Sequence, residues 1–150
     1  MKYVILSLIL IVLSNKAFSQ TTESDEELGV YLGGWSYHLG TDYNYNENHN
    51  MVVLEYDNVV FGGFKNSFDE NTYVLGYHWY KDVDDFRFSA IGLLTYGYSK
   101  GNYYEVFYER GSGSKALIVP VVSVSYTKYN VQPAIGLMGN ALAVLVKAKF

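Results

Sequence analysis

The sequence predicts an all-β chain: an eight-stranded antiparallel up-and-down transmembrane β-barrel that follows a cleaved signal peptide. The first observation is the alternation of residues 141–150, whose apolar side chains fall on one side of a strand while both lysines fall on the other. The apolar side consists of Leu142, Val144, Val146, Ala148 and Phe150. A final strand with one apolar face and an aromatic carboxyl terminus is typical of the strand that closes an outer-membrane barrel.

The second observation is the amino-terminal segment, residues 1–19, which predicts an export signal. It opens with Lys2, is apolar over residues 4–13, and ends in Ala17-Phe18-Ser19 before Gln20, a small-x-small cleavage pattern. Its apolar run is short of the roughly 20 residues that a spanning helix needs. We therefore expect a protein of the outer membrane of a Gram-negative cell, with residues 20–150 forming a single barrel domain behind a short polar leader (20–29).

Composition supports the same fold and narrows the partners. The chain has 16 tyrosines, 8 phenylalanines, 14 glycines and 2 prolines, a profile typical of strands and tight turns. It has no cysteine, so neither a disulfide framework nor a lipoprotein cysteine is predicted. Its net charge of −4 argues against a nucleic-acid partner. We expect a monomer that contacts membrane lipids and needs no cofactor.

The predicted elements follow in order along the chain. Strands are predicted over 30–39, 51–56, 59–65, 73–80, 86–98, 116–127, 129–137 and 141–150, and a polar exposed loop over 41–50. Asp57-Asn58 and Gly139-Asn140 predict tight turns, and 81–85 a charged turn. Residues 103–110 are compatible with either a strand or a loop.

Aromatic side chains are spread along the predicted strands. They are Trp35, Tyr37, Tyr56, Tyr77, Trp79, Tyr80, Tyr96, Tyr98 and Tyr126. Two interpretations remain open: girdles at the two lipid interfaces, which the last strand favours, and ordinary packing in the core of a soluble barrel.

Two short segments contain the candidate chemistry. His38 ends the first predicted strand and Ser67 follows the third, and these two strands run in the same direction in an up-and-down barrel. Both residues can therefore reach one rim, where an imidazole could take the proton of a hydroxyl as it attacks an ester carbonyl. Ordinary polar loop residues are the alternative. His38, Glu47 and His49 have no recognised metal-ligand spacing, so we predict a solvated loop rather than a metal site.

Several segments together resemble the lipid A palmitoyltransferase family (PagP). Its first-strand motif is similar to Trp35, His38 and Tyr45-Asn46-Glu47. Its Phe-Lys-Asp-Ser-Trp motif aligns on residues 64–68, Phe-Lys-Asn-Ser-Phe, and its Gly-Tyr-x-Trp motif on residues 76–79. A proline-initiated strand at Pro120 and the final Phe150 also agree. The resemblance covers most of the chain after the signal peptide and implies an eight-stranded outer-membrane barrel.

The resemblance also implies roles for individual residues. His38 would be the base, Ser67 the nucleophile or hydroxyl donor, and Asn66 an orienting group or oxyanion donor. Lys65, Tyr77 and His78 would contact substrate, Lys65 through a phosphate. Two positions depart from the family: Asn66 stands where an aspartate is expected, and His78 where a glycine forms the floor of an acyl-chain pocket. A long acyl chain should therefore not fit, and His78 is expected to be a hydrogen-bonded core residue.

Three functions remain open from the sequence. The first is an outer-membrane envelope component of this barrel type whose acyl-transfer activity the two departures call into question. The second is an active acyltransferase that moves a chain from a phospholipid to lipid A or another envelope lipid. The third is a soluble periplasmic barrel that binds an apolar ligand.

Overall fold

A computed structural model describes residues 28–40, 43–100 and 113–150, and the backbone of 104–108. Within these ranges it contains nine strands: β1 Leu28–His38, β2 Asn48–Tyr56, β3 Val59–Lys65, β4 Asn71–Val83, β5 Phe86–Tyr98, β6 Tyr104–Tyr108, β7 Lys115–Tyr126, β8 Val131–Met138 and β9 Ala141–Lys149. No helix among the described residues is long and apolar enough to cross a membrane. The predicted signal peptide and most of the predicted leader lie outside the described residues.

Eight of these strands close into an antiparallel barrel, which confirms the predicted all-β, eight-stranded antiparallel architecture. The ring runs β1-β2-β3-β4-β5-β7-β8-β9 and closes between β9 and β1. Strand β6 is a ninth strand outside the ring, so residues 104–108 of the segment left open between strand and loop are a strand. It pairs with β7 at Lys115 to Ile118, beyond the end of the β7–β8 pairing at Val121.

Several strands are longer than the sequence predicts, because partners on neighbouring strands extend them. Strand β2 begins at Asn48 rather than at Met51, since Asn48 pairs with Trp35 of β1. Strand β4 continues into the predicted charged turn as far as Val83, which leaves the turn itself at residues 84–85. Both predicted tight turns are confirmed, because Tyr56 pairs with Val59 across Asp57-Asn58 and Met138 pairs with Ala141 across Gly139-Asn140. Asp57 and Asn58 both have positive φ, as a type I′ hairpin turn requires.

The outer surface of the barrel is apolar. We call its central aliphatic part the outer belt: Leu32, Val52, Leu75, Leu94, Val122, Ile135, Val144 and Val146, all of them exposed. Exposed aromatic side chains lie mostly toward the strand ends, including Trp35, Tyr37, Tyr56, Tyr73, Phe86 and Tyr96. Tyr98 is an exception among the predicted girdle residues, because it is 2% exposed inside the barrel.

The barrel interior contains a buried charged network, far from the end of the barrel at which β1 and β3 finish. The Glu55 carboxylate accepts hydrogen bonds from Tyr31 Oη at 2.6 Å and Lys147 Nζ at 3.2 Å, and pairs with His78 Nδ1 at 2.9 Å. The other ring nitrogen of His78 lies 2.8 Å from Ser89 Oγ. As expected from the sequence, His78 is a hydrogen-bonded core residue. The network joins five strands through one carboxylate.

Glu55→Gln tests how strongly this network stabilises the barrel. It removes the carboxylate that the buried ammonium of Lys147 contacts at 3.2 Å, which should lower the free energy of unfolding by about 3–5 kcal/mol. Adding Lys147→Met should recover a large part of the loss, since the buried ammonium is then removed together with its carboxylate partner. Urea unfolding followed by tryptophan fluorescence measures both values. Equal instability of the single and double variants would contradict this coupling.

Candidate functional site

A bulge at Gly33-Gly34 determines which side chains of β1 enter the barrel. Both glycines have positive φ, 80° and 87°, and the register of β1 shifts there against both β2 and β9. Tyr31 faces inward before the bulge, and Ser36 faces inward after it, an odd number of residues later. Since strand side chains alternate, an unbroken β1 would direct Ser36 and His38 to the outside. The bulge therefore brings His38 to the inner side of the wall.

His38 and Ser67 meet at the end of the barrel where β1, β3, β5 and β8 finish, which we call the rim. His38 Nε2 lies 2.9 Å from Ser67 Oγ. Ser67 is 8% exposed and His38 is half-buried. The sequence predicted that both would reach one rim, and the structure places them in hydrogen-bonding contact. A nucleophile and a base at this separation form the minimum unit for acyl transfer.

The surroundings of His38 favour its neutral form. Its ring stacks on Tyr45 with the centroids 4.0 Å apart. Burial lowers the pKa of His38, the electrostatic interaction with the neighbouring His49 ring lowers it further, and the Glu47 carboxylate opposes both effects. His38 Nδ1 is buried without a hydrogen-bond partner among the described residues. A neutral imidazole can accept the proton of Ser67, and Glu47 supplies the negative charge that favours the resulting imidazolium.

Asn66 organises the loop that carries Ser67. Its amide group donates to Thr72 Oγ1 at 3.0 Å and to Glu70 Oε2 at 3.2 Å. Its amide oxygen accepts from the backbone N–H of Phe68 at 2.8 Å and of Glu70 at 3.1 Å. The Glu70 carboxylate in turn accepts hydrogen bonds from the backbone N–H and the hydroxyl of Ser99, which follows β5. The side chain of Asn66 thus fixes the turn after β3, and its hydrogen bonds go to this loop rather than to His38.

A second histidine–serine pair lies directly below the first. His49 Nε2 is 2.7 Å from Ser36 Oγ, and His49 Nδ1 is 2.6 Å from the carbonyl oxygen of Lys65. His49 is 7% exposed and Ser36 is 2% exposed. The expectation that His49 belongs to a solvated loop is wrong, because it lies in β2 and faces the interior. Sequence reasoning gave Ser36 no role.

Below His49 the interior of the barrel contains an apolar cavity of about 90 Å³. Its walls include Met51, Phe64, Ile91, Leu93 and Met138, with His49 near the rim and Tyr31 near the Glu55 network. An apolar cavity of about 150 Å³ can bind benzene. The smaller cavity of this barrel therefore has room for only a few carbons of an acyl chain, which would then contact the side chains above Glu55.

The three predicted substrate contacts lie in different places. Lys65 is at the rim, where its ammonium donates to the carbonyl oxygen of Asp69 at 3.0 Å. Tyr77 points outward and packs against Trp79 with the ring centroids 5.0 Å apart. His78 is part of the buried network. Of the three, only Lys65 is near His38 and Ser67.

No protein-family model matches the chain, and no curated protein matches it significantly.

Gly34→Ala tests whether the bulge positions the rim pair. An alanine at φ 87° is strained, and its Cβ would lie 3.4 Å from the Cβ of His49. We expect a loss of about 1–2 kcal/mol in the free energy of unfolding and a weaker His38–Ser67 hydrogen bond, seen in the imidazole NMR signals. Gly40→Ala is the matched control: φ is also positive there, but a new Cβ meets open space. If both variants left the His38 signals unchanged, the bulge would not position His38.

The pKa of His38 can be measured by NMR titration of its ring. Because burial lowers this pKa, we expect it below the ordinary value of about 6.5. Tyr45→Ala uncovers one face of the ring and should raise the pKa toward the ordinary value. Tyr129→Ala, which removes an exposed tyrosine at the opposite end of the barrel, is the control. An unperturbed pKa in the native protein would refute this description of the site.

Proposed function

We propose that this protein is an outer-membrane β-barrel that transfers an acyl chain from a membrane lipid, with His38 and Ser67 as its catalytic pair. The hydrogen bond of 2.9 Å between His38 Nε2 and Ser67 Oγ is the observation that carries the proposal. The family resemblance supports the same reaction. Phospholipid is the proposed donor, and lipid A or another envelope lipid is the proposed acceptor.

The surface of the barrel supports a membrane location. The outer belt is apolar and encircles the wall, whereas Glu55, His78, Arg87 and Lys147 are buried inside. A soluble barrel normally has the reverse distribution, with apolar side chains inside and polar ones in water. An apolar exterior around an interior that buries charged side chains is the pattern of a transmembrane barrel. The soluble periplasmic alternative is therefore disfavoured.

The proposed reaction uses the two rim residues in turn. Ser67 Oγ attacks the carbonyl carbon of the lipid ester while its proton passes to His38 Nε2. The tetrahedral intermediate then breaks the bond to the leaving alcohol, which takes the proton back from His38. A hydroxyl of the acceptor lipid attacks the acyl-Ser67 ester in the reverse sequence and restores the free serine. Glu47 favours the imidazolium electrostatically, and Lys65 is placed to contact a lipid phosphate.

A second candidate function is acyl-chain binding without transfer. It is favoured by His38 Nδ1, which has no hydrogen-bond partner within the part of the chain that the structure describes, because a carboxylate hydrogen-bonded at that atom normally orients the base. The cavity of about 90 Å³ limits either function to a short chain or to a chain that displaces Met51 and Met138.

The two functions are separated by comparing lipids after expression in a Gram-negative host. Outer-membrane fractionation and heat-modifiable migration first establish a folded, inserted barrel. With purified protein and a phospholipid labelled in its acyl chain, Ser67→Ala and His38→Ala should each reduce transfer by about 10²-fold or more. Ser123→Ala on β7 is the control and should retain activity. Because burial lowers the pKa of His38, transfer should decline at a lower pH than the value of about 6.5 at which an ordinary histidine base becomes protonated.

The outcomes are distinct. A new acylated lipid that disappears in both rim variants establishes the transferase. Labelled phospholipid that binds to folded protein but is never transferred, in native protein and variants alike, contradicts the transferase and supports the binding function. Recovery of the protein only in soluble fractions would overturn the proposed membrane location.

A further inference from the structure

His49 connects the two strands that carry the rim pair. It projects from β2, which lies between β1 and β3 in the ring. Its Nε2 contacts Ser36 of β1 and its Nδ1 contacts the carbonyl oxygen of Lys65 at the end of β3. Ser36 precedes His38 by two residues, and Lys65 precedes Ser67 by two residues. The His49 ring therefore contacts each of the two strands at a point two residues before a proposed catalytic residue.

The contacts determine the protonation state of this ring. A carbonyl oxygen only accepts hydrogen bonds, so Nδ1 carries the proton and donates it to Lys65. In the neutral ring, Nε2 then has a free lone pair and accepts a hydrogen bond from the Ser36 hydroxyl. Of the two neutral tautomers only Nδ1–H satisfies both partners, and burial of a ring that is 7% exposed disfavours the charged form.

Backbone pairing alone does not hold the end of β3 against β2. The pairing of these two strands extends from Tyr56↔Val59 to Val52↔Gly63 and stops there. Above Gly63, the His49 contact to Lys65 joins the strands from inside the barrel. Asn46 adds a bond from its backbone N–H to the Ser67 carbonyl oxygen at 2.8 Å. On the side of β2, the loop that carries Ser67 is therefore held by His49 and by Asn46, whose side-chain amide also donates to the Asn66 carbonyl oxygen at 3.1 Å. Of these two residues, His49 is the one whose side chain also contacts β1.

We propose that His49 is a positioning residue for the His38–Ser67 pair, and that Ser36 is its partner in this role. The proposal rests on the acyl-transfer function proposed above. Displacing a reacting group by about 1 Å can reduce a rate by about 10²-fold. Loss of the His49 bridge should therefore lower kcat, while KM for the lipid changes little because His49 does not contact the ester.

The test compares three variants of the full-length protein in the labelled-phospholipid assay. His49→Leu fills the space but makes neither hydrogen bond, and should lower kcat at least about 10-fold with KM within about twofold. His49→Gln offers an amide donor and acceptor in place of the two ring nitrogens and should recover most of the lost rate. Ser36→Ala removes one of the two bonds and should have an intermediate effect.

Thr95→Val is the matched control. Thr95 is also fully buried and donates to a backbone carbonyl, that of Leu117, on the opposite part of the ring. Its loss costs a comparable hydrogen bond but leaves β1 and β3 in place, so kcat should stay near that of the native protein. Heat-modifiable migration shows which variants are folded.

Imidazole ¹⁵N NMR tests the positioning role of His49 independently of whether the protein transfers an acyl chain. In the native protein, His49 should be the Nδ1–H tautomer, and His38 should show a hydrogen-bonded Nε2 that is lost in His49→Leu and kept in His49→Gln. If the native protein transfers no acyl chain but these signals change as expected, the transferase fails and the positioning role stands. Native His38 signals and native kcat in folded His49→Leu would overturn the inference.

Discussion

Strand alternation is the constraint on which the rest of this barrel depends. Each residue that faces the interior places its two chain neighbours on the exterior, so the apolar exterior requires regular alternation along every strand of the ring. Bulges change which residues face inward at Gly33-Gly34 in β1 and at Gly97 in β5. Below the bulge in β1, Tyr31 contributes to the buried network, and above it, Ser36 and His38 face inward. Strand β1 thus contributes Tyr31 to the interior network and His38 to the rim pair, because the bulge between them changes which of its residues face inward.

The interior is ordered from one end to the other by chemistry. The rim pair lies uppermost, the His49 bridge is below it, and the apolar cavity separates this bridge from the network around Glu55. All three histidines of the chain present Nε2 to a serine hydroxyl, but their Nδ1 atoms meet different groups. His78 meets a carboxylate, His49 a backbone carbonyl, and His38 no described partner. Among these three described pairs, the serine of the rim pair lies in the loop after β3, whereas the other two serines lie within strands. A substrate can therefore approach the rim pair from outside the barrel, and this accessibility distinguishes it from the other two pairs.

Much of the fold could be predicted from the sequence because local alternation encodes it. The final strand is confirmed in detail, with Val144 and Val146 outside and Lys147 inside. The start of β2 was missed because residues 46–50 are rich in asparagine, which disfavours strands unless a partner such as Trp35 orders them. The His38–Ser67 contact was predictable from strand direction. The His49 bridge was not, since its partners are a common serine and a backbone carbonyl that the sequence does not distinguish.

The contact between Glu55 and Lys147 has a consequence for assembly. These residues are separated by 92 positions, and Lys147 lies in the last strand. A chain emerging in order therefore contains Glu55 long before the ammonium that neutralises it is available. Burying the carboxylate earlier would leave an uncompensated charge. The seam between β1 and β9 must then form before the interior can dehydrate, which favours joining of the first and last strands over stepwise growth of an open, half-buried sheet.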